Sequence, residues 1–168
     1  QHARGAHAAL LTVTRISDTN FYMVGAGAAE RFHLRRFADE QGDADVNVRS
    51  VTAERAGLAI AGPNSRKLLE RLTTDDISAD AFKFMATRDM EVANVPTRVM
   101  RISFTGDLGY EIHLAAEYER LDAKVYLHAT KQMEFKEEHI SEHGILIGPI
   151  TVVHYQAEML QLLHQRAK

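Results

Sequence analysis

Arg101-Ile-Ser-Phe-Thr-Gly-Asp-Leu-Gly-Tyr-Glu-Ile-His-Leu114 is the stretch on which the fold turns. From Leu108 onward the chain alternates. Leu108, Tyr110, Ile112 and Leu114 fall on one face of a strand, and Gly109, Glu111 and His113 on the other. The turn Thr105-Gly106-Asp107 precedes it, and an extended run over 95–104 precedes the turn. Two extended runs joined so briefly pair antiparallel, because a parallel crossover needs a far longer connection. A carboxylate between a glycine and a histidine on one strand face is unlike an ordinary core strand. The same alternation is also the commonest pattern of a half-exposed strand whose polar face meets water.

Upstream, residues 9–16 and 20–24 read as two strands joined at Ser17-Asp18-Thr19. From Ala28 to about Gln41 the spacing of Leu34, Phe37 and Ala38 is helical, and Gly42 ends the helix. A β-branched stretch at Val46–Val51 and a short buried strand at Gly57–Ala61 follow. Pro63, near the first helical position, opens a helix over 64–73 with Leu68, Leu69 and Leu72 as its buried stripe. Extended runs at 83–92 and 95–104 meet at a turn near Asn94, and a helix begins near Glu117. Beyond residue 130, Gly144–Ile150 reads as a strand, and Val153, Met159, Leu160 and Leu163 mark a last helix. Strands and helices interspersed with hairpins give an α+β fold class, with a mostly antiparallel sheet and packed helices.

Composition narrows the function classes. The chain has 168 residues, is 45% apolar, and carries 20 basic against 23 acidic residues for a net charge of −3. A core can be buried, and no basic field is present to hold nucleic acid. The apolar runs are too short to span a membrane. Without cysteine, disulfides, thiolate metal sites and cysteine nucleophiles are excluded. That fits a reducing compartment, the cytoplasm or the mitochondrial matrix. The chain opens Gln-His-Ala-Arg-Gly and reads as a piece of something longer.

Two constellations compete for attention. Gly25-Ala26-Gly27-Ala28-Ala29-Glu30 follows a strand and opens a helix, with Asp43 and Asp45 downstream, where a dinucleotide-binding fingerprint would sit. Glu30 replaces the third glycine, and an anion there opposes a pyrophosphate. The alternative is a small-residue turn in which Glu30 complements the helix dipole. His139 and His143 are four apart, as two zinc ligands on a helix would be, but Gly144 follows at once and no metal site is expected.

The 101–111 stretch resembles the Arg-x-Ser-Tyr-Thr-Gly-Glu-Leu-Gly-Trp-Glu signature of the folate-binding aminomethyltransferase domain (glycine cleavage T protein-like). The match is closest to the form found in the C-terminal module of dimethylglycine and sarcosine dehydrogenases. Leu58-Ala-Ile-Ala-Gly-Pro-Asn-Ser-Arg-Lys-Leu-Leu69, Leu72–Ser78, Ala81–Phe84 and Val92–Pro96 recur in the family's order, and Arg4–Arg15 is similar to its active-site strand. The resemblance covers roughly residues 1–120, as a partial module, and thins over a helical tail at 121–168.

The resemblance implies tetrahydrofolate as the small-molecule ligand. It also implies a role in one-carbon transfer from an N-methylglycine or aminomethyl donor in the intact parent. It places Glu111 as the acceptor for the pterin, Phe104 as the aromatic ring against the folate, and Arg101 in support. The family's catalytic Asp or Glu corresponds to Leu10, and no acid occurs from Gln1 to Ser17. Folate binding without catalysis is therefore expected, with no catalytic residue assigned and no FAD site in this chain. A non-catalytic scaffold is the alternative. Self-association, or a partner chain supplying missing segments, would cover apolar surface.

Overall fold

The computed structural model describes residues 11–103, 106–118, 146–149 and 152–159. The chain divides into two compact units, one formed by residues 1–53 with 151–168 and the other by residues 54–150. The α+β class holds, with two antiparallel sheets where one was expected.

In the first unit β1 (Leu11–Arg15) and β2 (Asn20–Ala26) form the expected hairpin, with Leu11 opposite Gly25 and Arg15 opposite Phe21. Ser17 Oγ accepts the amides of Thr19 and Asn20, so the turn satisfies its own backbone. Helix α1 (Glu30–Gln41) ends at Gly42, whose φ of 51° belongs to the left-handed region. Strand β3 (Val46–Ser50) follows.

The segment expected to be a final helix is instead strand β9 (Val152–Met159), set between β2 and β3 and antiparallel to both. Val153 and Met159 are spaced in a way that mimics a helix. What overrides that spacing is backbone pairing on two sides to strands more than a hundred residues away in sequence. Within the tail at 121–168, residues 146–149 form a strand, as read for Gly144–Ile150, and only the helix read over its last apolar residues gives way to a strand.

The core of this unit combines Met23, Tyr155 and Ala157 with Leu34 and Phe37 of α1. It also contains polar groups. The buried His33 places Nδ1 3.0 Å from the Tyr155 hydroxyl, and Phe37 meets the Tyr155 ring edge-on. Glu30 Oε1 accepts hydrogen bonds from Ser50 (2.6 Å) and Thr52 (3.1 Å), tying the start of α1 to the end of β3. Burial and the Glu30 charge push the Tyr155 hydroxyl up to about 12. Burial holds His33 below the ordinary histidine value.

The second unit is a sheet ordered β5-β6-β7-β4-β8. Its strands are β4 (Arg55–Ala61), β5 (Thr87–Val92), β6 (Val95–Met100), β7 (Gly109–Ala115) and β8 (Leu146–Pro149). Strands β5 and β6 turn at Ala93-Asn94, both at positive φ, which is the geometry of a tight two-residue hairpin. Helix α2 (Ser65–Leu69) is shorter than the expected 64–73, although Leu72 beyond it is still buried. Leu68 and Leu69 of α2, with Leu72, join Ile60, Val99, Tyr110, Ile112 and Leu114 in one apolar cluster.

His33 makes the first unit sensitive to acid. Its folded pKa is depressed, so the unfolded chain takes up the proton first. The contribution is complete above the unfolded histidine pKa, about 6.5, and is lost as pH falls below it. We expect the urea midpoint, read by β-sheet circular dichroism, to fall between about pH 7 and pH 5. His33→Gln, which cannot titrate, should reduce that slope.

Candidate functional site

The quoted stretch leaves β6 at Arg101 and enters β7 at Gly109, in the pairing expected from its brevity, with Thr97 opposite Leu114 and Met100 opposite Glu111. The connection is anchored where it matters. Ser65 Oγ and the Gly62 amide both donate to the Leu108 carbonyl, and Gly106 takes a φ of 82°. Gly109 has to be glycine for a different reason. A Cβ there would stand 2.7 Å from Ser103 Cβ and 3.2 Å from the Ile102 carbonyl oxygen.

Strand β7 presents two unlike faces. Tyr110, Ile112 and Leu114 enter the apolar cluster, and the Tyr110 hydroxyl accepts a hydrogen bond from Arg66 Nε at 3.1 Å. On the other face lie Gly109, Glu111 and His113. That face is not simply open to water: His113 is fully buried, and the Glu111 side chain is only 16% exposed. Glu111 Oε2 lies 3.2 Å from His113 Nε2.

Directly across the ladder, β4 sets Gly57 beside His113, Ala59 beside Glu111 and Ala61 beside Gly109. Paired residues share a face, so a carboxylate stands at the rim of a floor made of glycine and alanine. On the β6 side Met100 is buried next to Glu111, and Arg98 beside His113 is held by Asp89 through two hydrogen bonds of 2.7 and 2.8 Å. Sequence reading had placed Glu111 and His113 on one face but had missed both their contact and the small-residue floor. The signal for the floor is Gly57-x-Ala59-x-Ala61, which the sequence alone gives only as a short buried strand.

Arg101 does a different job from Glu111. Its guanidinium donates to the carbonyls of Ala79 and Phe82, and its backbone pairs with Met85 and Ala86. It therefore organises the segment ahead of β5, in a structural role. Phe104 and Leu10 lie outside the described residues, as do His139 and His143. Among the described residues no group of three or more His, Asp or Glu side chains is placed to hold a metal ion.

A dinucleotide site at Gly25–Glu30 would need a parallel sheet and open space beside the glycines. Strand β2 is antiparallel to both neighbours. A Cβ on Gly25 would meet Leu11 Cδ2 at 2.6 Å and His33 Cε1 at 2.8 Å. That alternative is overturned: Gly25 is small because a histidine ring packs on it.

The GCVT N-terminal domain model matches residues 2–137. The chain belongs to the GCVT N-terminal domain family. As a member of that family it is 36% identical over 143 residues to the human protein "Dimethylglycine dehydrogenase, mitochondrial", covering 84% of this chain and 16% of that one. It is 31% identical over 141 residues to a sarcosine oxidase subunit alpha of Rhizobium meliloti, covering 80% and 13%. It is 32% identical over 109 residues to an aminomethyltransferase of Thermoanaerobacter, covering 64% and 29%. This GCVT-family chain thus spans only a small part of the curated relatives it matches. Among its described residues no helix is long and apolar enough to cross a membrane.

Gly109→Ala tests the geometry of the signature turn. The added methyl must displace Ser103 and the Ile102 backbone, so we expect a loss of about 1–3 kcal/mol in urea denaturation.

Proposed function

We propose that the chain is a tetrahydrofolate-binding module in which the Glu111 carboxylate accepts the pterin's two adjacent N–H donors. The observation that carries this reading is the Glu111 side chain, mostly shielded from water, at the edge of the Gly57–Ala59–Ala61 floor within the family's signature strand. A flat ring needs a surface without protruding side chains. A carboxylate meets paired donors best in a bidentate, charge-assisted geometry. Phe104 would supply an aromatic face for the folate, and Arg101 would support the site indirectly by fixing the 79–86 segment.

In the intact parent the module would collect a one-carbon unit from an N-methylglycine or aminomethyl donor. Catalysis is not part of the proposal for this chain. A proton-handling or cation-stabilising acid is required for such transfer, and the family's acid position is Leu10, with no Asp or Glu before Asp18. The name of the human relative supports a mitochondrial setting.

Calorimetry with tetrahydrofolate tests the reading. Glu111→Gln replaces one acceptor by an amide donor facing the pterin's own donors. We expect about 2–4 kcal/mol of lost affinity, roughly 30- to 1000-fold. Binding insensitive to this change would mean the pterin lies elsewhere. No binding by the unmodified chain would favour a non-catalytic scaffold, and one-carbon transfer by the unmodified chain would overturn the assignment at Leu10.

A further inference from the structure

We propose that His113 is the positioning residue for Glu111, holding its carboxylate in the orientation that receives paired N–H donors. The inference rests on the folate reading of Glu111 and adds to it a residue that acts through that carboxylate.

The geometry is specific. His113 Nε2 lies 3.2 Å from Glu111 Oε2, on the same face of β7 and two residues along. An ionised carboxylate only accepts, so the imidazole must carry its proton on Nε2. The two partners differ in freedom: His113 is 0% exposed, while Glu111 keeps 16% of its side chain open. A rigid buried donor therefore fixes a longer side chain that would otherwise sample several rotamers.

Gly57 stands directly opposite His113 on β4. Among the described residues, the neighbouring strands set these ionisable groups around the pair. Arg98, opposite His113 on β6, is engaged by Asp89 of β5. Glu91 lies further along β5, opposite Pro96. Arg55 of β4 stands opposite Ala115, two positions past His113. Strand β4 places only Gly57 and Ala59 beside the pair itself.

The stoichiometry also works. A carboxylate offers about four acceptor positions, and His113 takes one on Oε2. One position on each oxygen is enough for a bidentate pair, so the imidazole and the ligand do not compete. What His113 contributes is pre-organisation, because the ligand need not then restrict the carboxylate itself.

The test is a double-mutant cycle on the full chain, with tetrahydrofolate binding read by calorimetry. His113→Phe keeps a planar ring and removes the donor, and should weaken binding about 3- to 10-fold. His113→Gln, which restores an N–H donor, should recover most of that loss. In a Glu111→Ala background His113→Phe should change binding less than about 2-fold, since the acceptor it served is gone. Equal losses in both backgrounds would mean that His113 only packs, and would overturn the proposal.

A second measurement needs no ligand. The imidazole nitrogen NMR spectrum of the unmodified chain should show His113 protonated at Nε2 and should shift on Glu111→Gln. An Nδ1-protonated ring indifferent to Glu111 overturns the pairing while leaving the folate reading standing. If the unmodified chain binds no tetrahydrofolate, the folate reading fails, and the positioning role fails with it. The spectrum then still reports whether the pair exists.

Discussion

The register of β7 is the constraint on which the second unit depends. Tyr110, Ile112 and Leu114 must enter the apolar cluster, and the strand is hydrogen-bonded on both sides, to β4 and β6. A slip of one residue would turn Glu111 and His113 into that cluster and expose three large apolar side chains. Burying an unpaired carboxylate costs several kcal/mol, so the slipped arrangement is strongly excluded. The position of Glu111 on the opposite face, beside Ala59 and Met100, is thus a consequence of core packing.

The same logic explains why glycine and alanine recur around this carboxylate. Gly109 is needed for the close approach of Ser103 and the Ile102 backbone, and Gly57 stands beside a fully buried imidazole. Alanines at 59 and 61 keep the rest of the face low. One strand therefore buries its apolar side and carries a charged group on the other. Arg98 and Asp89 neutralise each other nearby, so the charge beside His113 is already partnered. In the first unit Gly25 serves a comparable end, leaving room for His33 to reach Tyr155. There the small residue admits a buried polar contact.

Much of this was legible in the sequence because the signals were local. The β1–β2 hairpin, α1 with its Gly42 stop, the Asn94 turn and the β6–β7 pairing all follow from spacing and turn chemistry within a few residues. Strand β9 was not legible. Its partners β2 and β3 lie more than a hundred residues earlier, and its apolar spacing also suits a helix. Arg101 is marked by its place in the signature, and its bonds to the Ala79 and Phe82 carbonyls are contacts no spacing rule encodes.

By itself the sequence determined the α+β class, the hairpins and the shared face of Gly109, Glu111 and His113, because a strand's period of two is a property of the backbone. It also determined the lack of an acid ahead of Asp18, since that is a matter of residue identity. The tertiary structure alone decided that this face is shielded from water, that His113 meets Glu111, and that β4 lays a glycine–alanine floor beside them. Those facts depend on which strands become neighbours. Neighbour choice is settled by burial summed over the whole sheet, which no short stretch of sequence contains.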